Sequence, residues 1–187
     1  KYLAYDRVVA ISDAVRAQLE SQGVPQAKLR TIRSSIDADA CQPTWTRAQF
    51  LTEFTLEPTN RIVAVVAQLI PRKGHALLLQ AWPLIHKRCP DARLLIFGAG
   101  PLQAELEAQL RDEARHDHTG HDRPSHDTGH DTGHDTGHDT GQTGTDLASS
   151  VTFAGFRPDL RECLGHIDLL VHPATREGLG IGLLEAQ

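Results

Sequence analysis

The chain of 187 residues has no methionine and only three cysteines. Cys41, Cys89 and Cys163 are widely spaced and odd in number. They make neither a disulfide framework nor a zinc pattern, and as small apolar core residues they suit a reducing compartment. No apolar run is long enough to span a bilayer, and the N-terminus lacks the charged-then-apolar order of a signal peptide. A start at Lys1-Tyr2 without an initiator, and a stop at Gln187 straight after the apolar run 181–186, read as a fragment cut at both ends.

Strong charge of one sign is also missing. The formal net charge is -5, and residues 116–146 account for more than all of it, with seven Asp against one Arg. The remainder is close to neutral, so nothing global draws the chain to nucleic acid or to an anionic surface. Any anion site must be local.

Segment 116–146 holds seven of the eleven His and repeats His-Asp-Thr-Gly four times from His126. A stretch this polar and glycine-rich cannot offset its ordering entropy by burial, and it reads as a disordered surface insertion. Imidazoles and carboxylates every four residues could also collect zinc, nickel or copper, giving a metal-binding or interaction protein as one alternative. Without a rigid second layer of hydrogen bonds such a repeat binds weakly and promiscuously.

Elsewhere 40% apolar and 23% charged residues suffice for a buried core. The run 7–12 predicts a strand, with Ser12 as N-cap of a helix that Gly23 stops. Leu29 to Ile32 is a second short strand. Thr46-Arg-Ala-Gln49 has the form of a capping box opening a helix through Phe54. The stretches 62–69 and 92–97, apolar but for Gln68 and Arg93, suit strands buried on both faces. Helices follow at 76–85, where Pro83 predicts a kink or an end near Trp82, and at 102–114, which Pro101 opens. Strand 151–154, helix 158–164 and strand 167–171 complete the series. This alternation predicts an α/β fold, a Rossmann-like parallel sheet with helices on both faces.

Three turns at strand ends carry the chemistry. The first is Val171-His-Pro-Ala-Thr-Arg-Glu177-Gly178-Leu179-Gly180-Ile-Gly-Leu-Leu-Glu185. Its two carboxylates are natural acceptors for sugar and ribose hydroxyls, and its glycines admit close backbone approach near a helix start. A capped helix after a Gly-rich loop is the plain alternative. The second, Phe97-Gly98-Ala-Gly100-Pro101, resembles a dinucleotide fingerprint, yet Gln103 stands where its third glycine belongs, which disfavours hydride transfer. In the third, Gln68-Leu-Ile-Pro-Arg72-Lys73-Gly74-His75, two adjacent cations could neutralise a diphosphate.

With these turns in this order, the sequence resembles the family 4 glycosyltransferases of the GT-B fold, also called glycosyl transferases group 1. The likeness extends to Val8-Val-Ala-Ile-Ser12, Ile36-Asp37 and Val151-Thr-Phe-Ala-Gly155-Phe156, and covers nearly everything but the insertion. It implies that residues 1–43 close an N-terminal acceptor domain and that 44–187 form a truncated C-terminal nucleotide-sugar-binding domain. It implies a retaining sugar transfer from a nucleotide-diphosphate sugar to an unidentified acceptor, with no metal or other cofactor. Glu177 would contact the donor sugar and Lys73 the diphosphate, these two being the catalytic pair. Arg72, Gly98, Gly178, Leu179 and Gly180 would line the donor, Glu185 would hold the ribose, and Phe156 and Arg157 would lie at the base. The resemblance also implies a cytoplasmic location, admits peripheral membrane association of the full-length protein, and implies that the isolated fragment does not turn over.

The sequence departs from the family at Gln68, where an arginine is usual, at Ala67 for glycine, and at Ser34-Ser35 for Asn-Gly. Loss of that arginine makes an inactive nucleotide-binding or partner-binding relative the second alternative.

Overall fold

The computed structural model describes residues 4–37, 43–118 and 147–175, with side chains through 115 in the middle stretch. The donor-turn residues Glu177, Gly178, Leu179, Gly180 and Glu185, and the repeats from 119 on, lie outside the described residues.

Strand β1 (Val8–Ala10) leads into helix α1 (Asp13–Ser21), and β2 (Leu29–Thr31) pairs parallel to β1, with Val8 opposite Leu29. Ser12 caps α1 through its side chain, accepting from Val15 N at 3.2 Å. Gly23 leaves the helix at φ +84°, the left-handed conformation that glycine adopts without a Cβ penalty. Ala10, Leu19, Val24 and Leu29 form the small core of this unit.

The larger sheet has four parallel strands in the order β5-β4-β3-β6, formed by β3 (Arg61–Val66), β4 (Ala92–Phe97), β5 (Val151–Gly155) and β6 (Leu169–Leu170). Side chains alternate across it with period two. Val65, Leu94 and Ile96 face one core with α3 (His75–Arg88) and α4 (Gln103–His118). Ile62, Ala64, Leu95 and Phe97 face the other, with α2 (Arg47–Glu53) and Cys163 of α5 (Leu160–Cys163). Both faces are thus covered, which is why β3 is apolar from Ile62 to Val66 and β4 from Leu94 to Phe97. The capping box of α2 forms as its sequence specifies, with Thr46 N donating to Gln49 Oε1 at 2.8 Å.

Two expectations are corrected. Helix α3 does not end near Trp82 but runs through Pro83 to Arg88. Proline costs one backbone hydrogen bond, and tertiary packing offsets it: Leu79 and Trp82 before it and His86 after it are all buried, and Trp82 Nε1 donates to Ser150 Oγ at 2.8 Å. Helix α4 likewise continues to His118, three residues into the stretch read as insertion.

Strand order places the switch in direction between β3 and β6. Chain progress runs from β3 through β4 to β5, then returns across the sheet to β6 on the far side of β3. In open parallel sheets ligands bind beyond the carboxyl ends of the strands beside such a switch.

Candidate functional site

Three turns at the carboxyl ends of β3, β4 and β5 meet on the β4 side of β3, next to that switch. Ala67 N donates to Phe97 O at 3.0 Å, Leu69 N to Ala99 O at 3.1 Å, and Gly98 N to Gly155 O at 2.7 Å. A Cβ on Gly98 would lie 2.0 Å from the carbonyl oxygen of Ala67, and its φ of +134° suits glycine alone. Glycine is demanded here by the neighbouring turn pressing against it.

Between the turns opens a cleft of about 370 Å³, lined by Val66, Ala67, Gln68, Phe97, Gly98, Ala99, Phe156, Arg157 and Leu160. That volume lies within the usual range for small-molecule sites. Its wall is largely apolar, with polarity from Gln68, backbone groups and the Arg157 side chain. A larger, shallower hollow of about 680 Å³ runs along α2, lined by Trp45, Ala48, Gln49, Thr52 and Glu53. It touches no strand end, so the topology gives it no ligand-binding role.

A register shift between β4 and β5 shapes the rim. Ile96 pairs with Phe153 but Phe97 with Gly155, so Ala154 is the extra residue of a β-bulge. Bulges re-aim the chain locally, and Gly155 takes φ +71° directly after it. The next side chain, Phe156, stands 76% exposed at the mouth of the cleft.

The two cations predicted to meet a diphosphate lie on a single 3-10 turn, Pro71–Lys73, that follows β3. Arg72 is exposed and Lys73 half-buried. Arg72 O accepts from Thr175 N at 3.0 Å and from Thr175 Oγ1 at 3.3 Å. Gly74, at φ +76°, sits so close to the chain after β6 that a Cβ would lie 2.1 Å from Pro173 O. The cationic turn is therefore stitched to the segment that leads into Glu177. Beside it, His75 is buried, and among the described residues neither of its ring nitrogens has a hydrogen-bond partner. Burial first, and the Lys73 charge second, hold its pKa below the ordinary value of 6.5.

Arg157 lines the cleft, but its guanidinium is engaged elsewhere. Its Nε and Nη2 form a fork onto Asp159, each at 2.8 Å, and Nη1 pairs with Glu53 of α2. The same group lies 5.4 Å from the Trp45 ring centroid and 5.6 Å from that of Phe54. The hydrogen bonds that Arg157 donates to Asp159 and then to Glu53 raise its own pKa further, and the bond from Arg157 holds the Asp159 carboxyl below the carboxylate range. Reading the sequence did not find Glu53, Asp159 or Trp45. Glu53 is 104 residues from Arg157, and no local pattern marks that pair.

Of the residues singled out from the sequence, Gly98, Phe156 and Arg157 share the cleft, and Arg72 and Lys73 occupy the adjoining turn. Gln68, the departure from the family pattern, lies in the cleft wall. Among the described residues no group of His, Cys, Asp and Glu could hold a metal ion, and no helix is long and apolar enough to cross a membrane.

The model of the family Glycosyl transferases group 1 matches residues 60–125, from the start of β3 through α4. A GDP-mannose-dependent alpha-(1-6)-phosphatidylinositol monomannoside mannosyltransferase of Mycolicibacterium smegmatis is 31% identical over 108 residues, 57% of this chain and 28% of that protein. A GDP-mannose-dependent monoacylated alpha-(1-6)-phosphatidylinositol monomannoside mannosyltransferase of Corynebacterium glutamicum is 30% identical over 138 residues, 69% of this chain and 27% of its own length. The chain thus spans under a third of the curated relatives it matches. Among solved structures, Anabaena HepE in complex with UDP and glucose superposes with a TM-score of 0.70 at 17% identity, over 97% of this chain and 41% of that one. WaaG, a glycosyltransferase involved in lipopolysaccharide biosynthesis, gives 0.69 at 18% identity, over 96% and 41%. The fold is the GT-B fold of these neighbours, and over residues 60–125, from the start of β3 through α4, the chain is similar to the glycosyl transferases group 1.

Proposed function

We propose that this chain supplies the donor-binding half of a retaining glycosyltransferase, moving a hexosyl group from a nucleotide-diphosphate sugar to an acceptor hydroxyl. The observation that carries the reading is the convergence of three strand-end turns on one cleft at the carboxyl edge of the sheet, with the Arg72-Lys73 turn, at the switch between β3 and β6, tied to the segment entering Glu177. The relatives' dependence on GDP-mannose and the UDP held by HepE support a nucleotide-sugar donor.

In the reaction the bond between the anomeric carbon and the distal phosphate oxygen breaks. A new glycosidic bond forms to the acceptor oxygen, whose proton is lost, and the nucleoside diphosphate departs with additional negative charge. Lys73, with Arg72 beside it, is suited to stabilise that charge, an electrostatic contribution that grows toward the transition state. Glu177 would accept hydrogen bonds from the sugar hydroxyls and Glu185 from the ribose, and no metal is required for either. Peripheral attachment to a membrane belongs to this reading, because the mannosyltransferase relatives act on a phosphatidylinositol glycolipid.

Gln68 in the cleft wall favours a second reading, a relative that binds nucleotide without transfer. One experiment separates the two. In the full-length protein, Lys73→Ala is expected to lower the transfer rate by roughly 10²- to 10³-fold, the loss typical of one preorganised charge contact. Unchanged transfer by a folded variant would remove Lys73 from the mechanism; no transfer by the unaltered protein, with nucleotide still bound, would favour the second reading.

A further inference from the structure

The Arg157 side chain combines features that a ligand-binding arginine would not. Its side chain is only 20% exposed. Asp159 takes two of its donors in a fork and Glu53 a third, while Trp45 and Phe54 lie against the guanidinium. Few donors are left for a phosphate or a base. Asp159, moreover, stands at the N-cap of α5 yet makes no side-chain cap there. A carboxylate that would ordinarily satisfy a helix N-terminus is held by the arginine instead.

What this clamp secures is the peptide next to it. Arg157 follows Phe156, the rim residue left exposed by the bulge in β5. The clamp ties that rim to α2 on one side and to the start of α5 on the other. Phe156 shares the cleft with Val66, Phe97 and Leu160, and the cleft surface is largely apolar, so a flat aromatic ring entering there would meet an apolar wall. Two carboxylates against one guanidinium also leave the clamp net negative. A diphosphate is disfavoured at this end and favoured at the Arg72-Lys73 end, which sets the direction in which an elongated anionic ligand lies.

We propose that Arg157 is a positioning residue: through Glu53, Asp159 and Trp45 it fixes Phe156 as the stacking wall for the flat ring of the ligand, without touching the ligand's phosphates. This rests on the reading of the cleft as a nucleotide-sugar site. Stacking of a base on an aromatic side chain is worth enough to change affinity by roughly tenfold or more.

The test is a calorimetric titration of the full-length protein, in chelator, with uridine, guanosine and adenosine diphosphates and, separately, with inorganic pyrophosphate. Variants are Phe156→Ala, Arg157→Met, Arg157→Lys and Glu53→Gln. Phe156→Ala and Arg157→Met are expected to weaken the preferred nucleoside diphosphate about tenfold and to leave pyrophosphate unchanged. Arg157→Lys and Glu53→Gln should fall between these and the unaltered protein, and the donor KM should rise while kcat holds. If Arg157→Met binds the nucleotide as the unaltered protein does, or if Arg157→Met and Phe156→Ala lose pyrophosphate and nucleotide equally, Arg157 is not a positioning residue for the base. Should Arg157→Met fail to fold, exposed Phe156→Ala decides: unchanged nucleotide affinity in it overturns the stacking wall. If the unaltered, folded protein binds no nucleoside diphosphate, the donor-site reading falls and the proposal with it.

Discussion

His75 shows how a single side chain couples the cationic turn to the core. It opens α3 directly after Gly74, is 2% exposed, and among the described residues has no partner for either ring nitrogen. Burial and Lys73 both oppose its protonation, so its folded pKa lies below the ordinary 6.5. The unfolded chain then takes up the proton more readily than the folded one. Stability from this site is therefore whole above about pH 6.5 and is lost as the pH falls through that value toward the lower folded one. Thermal melts between about pH 8 and about pH 5 should show a steeper acid limb for the unaltered protein than for His75→Leu. Parallel limbs would mean that folding does not lower the His75 pKa. Nothing in the sequence marked His75 as buried, because a histidine beside two cations reads equally well as surface.

At the scale of elements, the strands were the most legible part. The strand expected at 92–97 is β4, the one expected at 62–69 is β3 but ends at Val66, where the turn toward Gln68 begins, and the local caps at Ser12 and Thr46 formed with the partners that their spacing implied. Each of these signals acts within a few residues or repeats with a period. What depends on distant chain was not legible. Pro83 punctuates a helix locally, yet α3 continues because Trp82 and His86 are held by the core. The bulge at Ala154, which sets Phe156 on the rim, depends on the register with β4. The Gly98 turn belongs to the same class: its sequence suggested a tight turn beside a ligand, and the structure adds the Ala67 carbonyl in the space of a side chain. Gly98→Ala is therefore expected to destabilise the full-length protein by on the order of 3 kcal/mol, combining a forbidden φ with a backbone clash. Chemical denaturation checks this; a change below about 0.5 kcal/mol, the level of an ordinary surface substitution, would show that the two turns are not in contact.

For the molecule as a whole, the parallel sheet with covered faces and its switch between β3 and β6 places every described ligand-like turn on one edge. That much followed from the alternation of elements and the order of the turns, since a right-handed α/β fold leaves few other arrangements. The resemblance also implied Phe156 and Arg157 at the base, and both line the cleft. It left their division of labour open, because the clamp joins α2 to the loop after β5 across most of the chain. The central claim is that one ligand engages both the Arg72-Lys73 turn and the cleft of Gly98 and Phe156. The most direct test follows backbone amide resonances of Lys73, Gly98 and Phe156 in the full-length protein, in chelator, as nucleoside diphosphates are added. The account predicts that one nucleotide shifts all three with a single binding curve; shifts confined to one turn, or none in a folded protein, would contradict it.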